Sequence, residues 1–352
     1  MRADMTMAGP LVIRSQHRSP ARTQRGAVAA GLHDAHGRVI EYLRLSLTPS
    51  CPMRCVYCRP AGMCGQACDQ MTSQEITALV GHLVANHGVR KVRLTGGEPT
   101  CRRDLVPIIE QLAALPHPPQ LTMTTNGLSL ARHATALAAA GLTRVNVSID
   151  SLDPDRFRQI TGVDDVERVM GGIDAAIAAG LMPVKLNAVV MRNYNDQDMA
   201  DLVDFAANRQ LEMRFIELMP MGPLADTWGS RYVSEAWMKR CLDRIVETWA
   251  PCPADGSAAR RYQARLTDGR HVTVGFITPM SCSFCDRCDR IRISADGALY
   301  PCLMDKPAGT LMPGLRPLFD PEKVTQILLE GLGRKRIEHP ATGVSVMTEI
   351  GG

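Results

Sequence analysis

Two groups of closely spaced cysteines are the residues of this sequence best suited to chemistry. The first group has the spacing C-x3-C-x2-C, and the second has two C-x2-C steps followed by a more distant thiol. Clustered thiolates are ligands for zinc ions and for iron–sulfur clusters. The ligand candidates are Cys51, Cys55 and Cys58 in the first group, and Cys282, Cys285, Cys288 and Cys302 in the second.

The first group has one thiolate fewer than a closed metal site. Four ligands fill a tetrahedral zinc site or a [4Fe–4S] cluster, so a cluster held by three cysteines leaves one iron open to a small chelating ligand. The spacing favours such a cluster over a structural zinc ion, for which Cys64 or Cys68 would be the fourth ligand. The second group fits a zinc ribbon of four thiolates, and its spacing alone does not separate that site from a cluster.

Composition and charge exclude several classes of protein. The 352 residues are 45% apolar, which suits a substantial core and excludes a disordered chain. The longest apolar run, from Ala175 to Val184, is shorter than the roughly 18 residues that span a bilayer. Residues 1–30 hold five Arg and one acid, which accounts for the net charge of +4, so the rest of the chain has no charge excess for nucleic acid. Without a secretory signal, a reducing, cytoplasmic compartment is expected, where the twelve cysteines favour metal ligation over disulfides.

The elements that must position the first group alternate between strands and helices. Apolar, β-rich segments are followed by segments with apolar residues at three- and four-residue steps, which is typical of parallel β/α units. We predict an α/β fold with a partial, open (β/α)6 barrel of the TIM type, with its chemistry at the carboxyl ends of the strands. The predicted strands are Glu41–Leu47, Val89–Leu94, Leu121–Thr124, Arg144–Ile149, Val184–Val190 and Met213–Leu218, and the predicted helices are Asp104–Leu115, Leu130–Ala140, Val166–Ala179 and Asp198–Asn208.

This alternation stops near residue 222. A helix near Val233–Trp249 and two hairpin-like stretches, 260–277 and 290–300, are predicted beyond it, because Asp-Gly pairs there favour tight turns. We therefore expect a flexible basic tail over residues 1–35, the barrel over 36–222, and a smaller α+β extension over 223–352 that carries the second cysteine group.

A second motif supports the interpretation of the first cysteines. The segment Thr95-Gly96-Gly97-Glu98-Pro99 follows a predicted strand, and glycines there let the backbone approach a ligand closely. The cysteine spacing, with Tyr57 before the last thiol, together with this segment resembles the radical S-adenosylmethionine superfamily. The resemblance implies a [4Fe–4S] cluster on Cys51, Cys55 and Cys58 whose open iron is chelated by S-adenosylmethionine. It implies S-adenosylmethionine contacts from Tyr57, Gly97, Glu98, Ser148 and Met219.

The second group narrows the resemblance within that superfamily. C-x2-C-x-R-x-R followed by a distant cysteine, and the terminal Gly351-Gly352, resemble the GTP 3′,8-cyclase family of molybdenum cofactor biosynthesis, from about residue 38 to the end of the chain. The resemblance implies a second [4Fe–4S] cluster on Cys285, Cys288 and Cys302 with an iron open to the guanine ring. It also implies that the Gly-Gly tail reaches into the active site. The implied contacts with GTP come from Arg44, Arg93, Thr124, Lys185, Arg290 and Arg292.

The resemblance further implies the reaction and the partners. A 5′-deoxyadenosyl radical takes the 3′ hydrogen of GTP, and the product is (8S)-3′,8-cyclo-7,8-dihydroguanosine 5′-triphosphate. The electron comes from a reductant such as flavodoxin or ferredoxin, and cyclic pyranopterin monophosphate synthase acts next. Neither nucleic acid nor membrane is an expected partner, and a homodimer is left open.

Some residues depart from the family pattern. Cys64, Cys68, Cys101 and Cys282 are additional thiols, and we predict that Cys282 does not bind the second cluster, because a fourth thiolate would close the guanine site. Two alternatives are a twin-cluster radical enzyme that acts on a peptide and a non-catalytic zinc-ribbon adaptor. The arginines after Cys288 and the Gly-Gly end favour the nucleotide substrate.

Overall fold

The computed structural model describes residues 31–58, 69–343 and 347–350. A single 12-stranded sheet organises this part of the chain, in the order β14-β13-β12-β3-β4-β5-β6-β7-β8-β11-β10-β9, beside a small hairpin of β1 and β2. Among the described residues, no helix combines the length and the apolarity needed to cross a bilayer. The strands are β1 Leu32–His33, β2 Val39–Ile40, β3 Tyr42–Ser46, β4 Lys91–Thr95, β5 Gln120–Thr125, β6 Arg144–Ser148, β7 Lys185–Val190, β8 Glu212–Glu217, β9 Val246–Pro251, β10 Ala259–Leu266, β11 His271–Ile277, β12 Arg290–Ile293, β13 Ala298–Tyr300 and β14 Gly309–Thr310.

The predicted open barrel is confirmed. Strands β3 to β8 are parallel neighbours in chain order, which is the arrangement that successive β/α units produce. Each of the six predicted barrel strands overlaps an observed strand. The helices are α1 Ser73–His87, α2 Leu105–Ala113, α3 Leu130–Ala139, α4 Pro154–Thr161, α5 Val166–Ala178, α6 Met199–Asn208, α7 Trp228–Arg231, α8 Glu235–Leu242, α9 Met312–Leu315, α10 Pro321–Leu332 and α11 Met347–Ile350.

Local signals set several helix ends. The Thr72 side chain accepts a hydrogen bond from the backbone N–H of Glu75, and the Glu75 side chain accepts one from the backbone N–H of Thr72. These two bonds form a capping box at the start of α1. Helix α1 ends at Gly88, whose φ of 71° lies in the left-handed region that favours glycine. The additional helix α4 begins at Asp153, whose side chain accepts from the backbone N–H of Arg156.

The predicted helix Val233–Trp249 is too long. Helix α8 ends at Leu242, and the following residues form β9, which pairs antiparallel with β10. Val246 is buried and Trp249 is half-buried, while the residues between them are exposed, and such a three-residue step is typical of a helix. Pairing with a strand that comes later in the chain therefore overrides the local helical pattern.

The C-terminal region continues the barrel sheet at both edges. Strand β12 pairs parallel with β3, and β11 pairs parallel with β8, so each edge strand of the six-stranded barrel has a partner from beyond residue 222. The two predicted hairpins are observed as β10–β11 and β12–β13. The cysteine-bearing extension and the barrel thus share one hydrogen-bonded sheet.

The barrel strands bury different residue types on their two faces. Residues such as Leu43, Val92 and Val145 are fully buried in the apolar core. The alternate positions, such as Arg44, Arg93 and Asn146, line a cavity inside the barrel. This alternation brings polar side chains from many strands into one space.

Candidate active site inside the barrel

A cavity of about 660 Å³ occupies the interior of the barrel. It is lined by residues from every barrel strand, so side chains far apart in sequence share one space. The structure brings most of the predicted site residues to this cavity. Those that line it are Cys51, Cys55, Tyr57, Cys58, Gly97, Glu98, Ser148 and Met219, and Arg44, Arg93, Thr124, Lys185, Arg290 and Arg292.

The first cysteine group follows β3 and lies against the segment after β4. Gly97 N–H donates to the carbonyl of Thr48 at 2.6 Å, and Glu98 N–H donates to the carbonyl of Ser50 at 2.7 Å. A Cβ on Gly97 would come within 2.5 Å of the Ser50 carbonyl oxygen, so this close approach requires glycine. The two motifs recognised in the sequence therefore form one structural unit.

The thiols of the first group lie in a poorly solvated place. Burial raises the pKa of Cys51 to about 11 and raises the pKa of Cys55 well above its ordinary value. Bound iron would supply the positive charge that keeps such thiols deprotonated. Three thiols converging on a cavity with a glycine cradle beside them fit a three-cysteine iron–sulfur cluster.

Glu98 connects the cysteine group to the end of β5. Its side chain is 1% exposed, and Oε1 accepts from Thr100 and from the Thr125 hydroxyl at 2.7 Å. Oε2 accepts from the backbone N–H of Asn126 at 2.6 Å, and the Asn126 amide lies 3.7 Å from Cys51 Sγ. Burial raises the pKa of Glu98, and these donors oppose the shift. The carboxylate thus orders the cavity wall on which it was expected to contact S-adenosylmethionine.

Tyr57 also has an internal partner. Its hydroxyl donates to Asp150 at 2.8 Å, while the other Asp150 oxygen accepts from the backbone N–H of Val189 at 2.8 Å. Burial raises the pKa of Asp150 to about 6 and raises the pKa of Tyr57 well above its ordinary value. The Tyr57 ring packs with Met191 and Leu218 beside the cavity. This pair ties the cysteine loop to the ends of β6 and β7.

A set of cations lines the same cavity. Five of them were predicted as GTP contacts, and Lys91, Arg144 and Arg214 are additional, as is Arg90, an exposed residue that pairs with Glu41. Strand register explains why these cations lie close together, because Arg44 is opposite Arg93 on one neighbouring parallel strand and opposite Arg292 on the other. Burial and the neighbouring cations lower the pKa of Arg44. We define the cation set as the lining cations other than the exposed Arg90, namely Arg44, Lys91, Arg93, Arg144, Lys185, Arg214, Arg290 and Arg292.

Two polar side chains organise the cation set. Glu212 accepts from Lys185 Nζ at 2.9 Å and from Arg214 Nε at 2.5 Å. The Tyr42 hydroxyl accepts from Arg93, which also donates to the Thr124 hydroxyl at 3.1 Å. The surrounding cations lower the pKa of Tyr42 to about 7 against the effect of burial. The cavity therefore suits a ligand with several negative charges.

The additional cations were not predicted from the sequence, although the strands contain a signal for them. A parallel barrel strand packed on both faces is ordinarily apolar throughout. Here the strands alternate, as in Lys91-Val92-Arg93 and Glu212-Met213-Arg214, and the polar residues share one face. Repeated polar alternation in barrel strands would have pointed to a polar interior.

The second cysteine group lies beside this cavity. Cys285 and Cys288 precede β12, and Cys302 follows β13, which is the antiparallel partner of β12. These three cysteines do not line the cavity, but Asp289 and Leu303, their neighbours in sequence, do.

Burial affects the groups around the second cysteines as well. Burial raises the pKa of Cys302. Burial also lowers the pKa of Arg292 to about 10, and the nearby sulfurs of Cys302 and Cys288 oppose this shift. Cys282 is exposed, and among its neighbours is Arg260. Within residues 31–58, 69–343 and 347–350, no three His, Cys, Asp or Glu side chains are arranged around a single metal ion. Cys285, Cys288 and Cys302 are half-buried and lie in the segments that flank β12 and β13, and thiols of this kind can serve as ligands of an iron–sulfur cluster.

Several sequence predictions lie outside the described residues. These are Gly351 and Gly352, the thiols Cys64 and Cys68, and residues 1–30. Helix α11, which directly precedes Gly351, contributes Met347 to the cavity and buries Ile350 completely.

Two family models match the chain in succession. The model of the Radical SAM superfamily matches residues 45–206, and that of Molybdenum Cofactor Synthesis C matches residues 211–341. A curated GTP 3′,8-cyclase of Moorella thermoacetica is 42% identical over 77% of the chain and 84% of its own length. Another, from Pseudomonas savastanoi pv. phaseolicola, is 40% identical over 90% of the chain and 96% of its own length.

Solved structures share the fold at low sequence identity. Streptococcus suis SuiB bound to its precursor peptide SuiA superposes with a TM-score of 0.58, at 14% identity, over 87% of this chain and 73% of its own. The structure of anSMEcpe with AdoMet and a Cp18Cys peptide gives a TM-score of 0.50 at 15% identity, over 88% of this chain and 92% of its own. At these identities the similarity concerns architecture alone.

Proposed function

The chain belongs to the GTP 3′,8-cyclase family of the radical S-adenosylmethionine superfamily, and from this premise we propose that it converts GTP to (8S)-3′,8-cyclo-7,8-dihydroguanosine 5′-triphosphate. This is a lyase reaction and the first step of molybdenum cofactor biosynthesis. The cation set inside the barrel is the observation that carries the assignment of substrate. A triphosphate carries several negative charges. Pairing with it offsets the free-energy cost of removing the charges of buried arginines and lysines from water.

The first cysteine group holds the cofactors in this proposal. Cys51, Cys55 and Cys58 would bind a [4Fe–4S] cluster and would leave one iron available to S-adenosylmethionine. When bound, this cluster and S-adenosylmethionine supply the 5′-deoxyadenosyl radical that takes the 3′ hydrogen of GTP. Gly97, Ser148 and Met219, which line the cavity nearby, contact S-adenosylmethionine, and Tyr57 and Glu98 keep that wall ordered through their internal hydrogen bonds.

The substrate lies along the cation set. Arg44, Arg93 and Lys185 with Thr124 bind the nucleotide from the barrel strands, while Arg290 and Arg292 bind it from β12. Lys91, Arg144 and Arg214 extend this site, because they line the same cavity. Glu212 holds two of the cations in place through its bonds to Lys185 and Arg214.

The second cysteine group holds a second [4Fe–4S] cluster in this proposal. Cys285, Cys288 and Cys302 would bind it, and an iron without a cysteine ligand would be available to the guanine ring. The position of Asp289, Arg290 and Leu303 on the cavity wall supports this arrangement. Cys282 is exposed and lies near Arg260, whereas the other three thiols are half-buried. This difference supports a ligand set without Cys282.

The remaining partners are also proposals. A flavodoxin or ferredoxin supplies the electron, and cyclic pyranopterin monophosphate synthase consumes the product. Gly351 and Gly352 belong to the active site in this proposal, which is supported by Met347 of α11, four residues before Gly351, because Met347 lines the cavity.

One anaerobic assay tests the activity. Protein with about eight irons, as two [4Fe–4S] clusters supply, is incubated with GTP, S-adenosylmethionine and dithionite. We expect 5′-deoxyadenosine and the cyclised nucleotide to form together, dependent on GTP. Formation of 5′-deoxyadenosine only when a peptide is added would favour a peptide-modifying enzyme, and zinc without iron would favour a zinc-ribbon adaptor.

A variant tests the substrate site. Lys185→Met removes one cation that faces the cavity, so we expect GTP affinity to fall roughly tenfold to a hundredfold, which corresponds to about 1.4–2.8 kcal/mol. Iron content should not change, because Lys185 lies among the nucleotide contacts. Lys323→Met, at an exposed position of α10, is the matched control. Equal GTP affinity of both variants and the parent protein, measured anaerobically by calorimetry, would contradict the placement of the triphosphate.

A further inference from the structure

Lys335 is a buried lysine beside the second cysteine group. It follows α10 and is 3% exposed. Its Nζ donates to the carbonyl of Pro301 at 2.5 Å and to the carbonyl of Arg290 at 2.8 Å, and it lies 3.5 Å from Cys288 Sγ. The ammonium group thus contacts both arms of the cysteine group, next to Cys302 on one side and at Cys288 on the other.

The described partners of this ammonium group leave its charge uncompensated. Two of them are neutral carbonyls and the third is a thiol sulfur. Asp305, three residues after Cys302, pairs with Arg336 at 3.3 Å. A buried ammonium without an anionic partner costs several kcal/mol, so a site of this kind ordinarily includes a negative group. Thiolates that bind a metal cluster would be that group.

We propose that Lys335 positions the second cluster and favours its reduced form by placing both a positive charge and a hydrogen-bond donor at the Cys288 thiolate. The proposal rests on the proposed function, because it requires a cluster on Cys285, Cys288 and Cys302. Reduction of a [4Fe–4S] cluster by one electron, taken from a low-potential one-electron donor, adds one negative charge and transfers no proton. A fixed positive charge and a hydrogen bond to a ligand sulfur both stabilise the form with the added charge.

The geometry also assigns Lys335 a positioning role. By binding the carbonyls of Arg290 and Pro301, one side chain fixes the start of β12 relative to the loop that carries Cys302. Groups outside the ligand set that bind ligand atoms tune a metal centre without touching the metal. Lys335 is separated from Cys288 by 47 positions, so only the folded chain brings them together.

A series of substitutions separates charge from hydrogen bonding. Lys335→Arg keeps the charge, Lys335→Gln keeps a donor, and Lys335→Met removes both at similar volume. The matched control is Arg334→Gln, because Arg334 is an exposed cation that donates to the carbonyl of Ala308. Each is made in the full-length chain with Cys51, Cys55 and Cys58 replaced by Ala, so that the second group alone can hold a cluster.

Potentiometric titration followed by electron paramagnetic resonance measures the result. At a fixed potential near the midpoint, we expect about a tenfold lower ratio of reduced to oxidised cluster in Lys335→Met, which is a 59 mV lower midpoint potential for one electron. The midpoint potential of Lys335→Gln should lie between those of Lys335→Met and the parent, while Lys335→Arg and Arg334→Gln should have the potential of the parent. Unchanged potentials in Lys335→Gln and Lys335→Met, with about four irons per chain retained, would overturn the inference.

Loss of iron has a different meaning in the Lys335→Met variant and in the parent with the three Ala substitutions. If Lys335→Met binds no iron, the potential of Lys335→Gln decides, and a value equal to that of the parent overturns the inference. If the parent with the three Ala substitutions binds no iron, while the unsubstituted chain binds about four, the second cluster itself is wrong, and both the proposed ligand set and the role of Lys335 fall with it.

Discussion

At the scale of the residue, the Glu98 carboxylate shows how a short motif acts through its neighbours. Each described partner of its two oxygens is a donor, and one of them is the backbone N–H of Asn126. That N–H cannot become an acceptor, whereas the two threonine hydroxyls can rotate. The side chain at this position must therefore present an oxygen to Asn126.

Glu98→Gln tests this requirement. If the amide nitrogen faces Asn126, two donors oppose each other in a buried place, and leaving a buried donor unpaired costs about 1–3 kcal/mol. If the amide oxygen faces Asn126 instead, the nitrogen faces the backbone N–H of Thr100 with a similar cost. We expect the free energy of unfolding of the iron-free chain in urea to fall by that amount. Glu110→Gln, at an exposed position of α2, should leave it unchanged, and equal stability of both variants would show that the network is not needed.

At the scale of the element, the start of α1 depends on a residue from far along the chain. Glu75 belongs to the capping box with Thr72, and its oxygens also accept from Arg316 at 2.5 and 3.1 Å. Arg316 directly follows α9, so this ion pair fastens the C-terminal extension to the first barrel helix. The Arg316 guanidinium lowers the pKa of Glu75 to about 2.

This pKa predicts an acid-dependent stability. Because the folded-state value lies below the ordinary value of about 4.3, the ion pair stabilises the folded chain above about pH 4.3, and its contribution is lost as the pH falls towards about 2. Glu75→Gln keeps a capping side chain but removes the charge, so we expect a loss of about 1–2 kcal/mol at pH 6 that shrinks at pH 3. Urea unfolding at both pH values measures it.

Glu322→Gln is the control for this prediction. Glu322 is exposed and lies in the first turn of α10, as Glu75 lies in the first turn of α1. Only Glu75 of the two pairs with Arg316. We expect a change of a few tenths of a kcal/mol at most. If the two glutamine variants lose equal stability at pH 6, the position at a helix start, and not Arg316, explains the effect.

At the scale of the whole molecule, the barrel and the extension are one hydrogen-bonded body. Strands β12 and β11 complete the edges that β3 and β8 would otherwise expose. An exposed edge of unpaired backbone groups is a site of aggregation, so residues up to 222 should not remain folded without the rest. The whole chain should unfold in one cooperative step.

The three tryptophans make this prediction measurable. Trp228, Trp237 and Trp249 all lie beyond residue 222, so their fluorescence reports the extension, whereas the far-ultraviolet circular dichroism is dominated by the barrel helices. We expect the two signals of the iron-free chain to change at the same urea concentration. A fluorescence transition at distinctly lower urea, with circular dichroism retained, would show two separate folding units.

The sequence alone was enough to predict features that depend on neighbours along the chain. Cysteine spacing, the glycines before Glu98, and the alternation of strand and helix are local patterns. They predicted the open barrel and drew attention to the cysteine and glycine segments, which line its cavity. Their success has a physical basis, because loop geometry and helix caps are decided within a few residues.

Tertiary structure decided what depends on partners distant in sequence. Strand β9 exists because β10 is there to pair with it, and the cation set forms because strand register places Arg214, Lys91 and Arg144 on the same inner face as the predicted arginines. Lys335 meets Cys288 only after α10 has packed onto the sheet. Pairing over long separations is set by the free energy of the whole fold, which no local window of sequence contains.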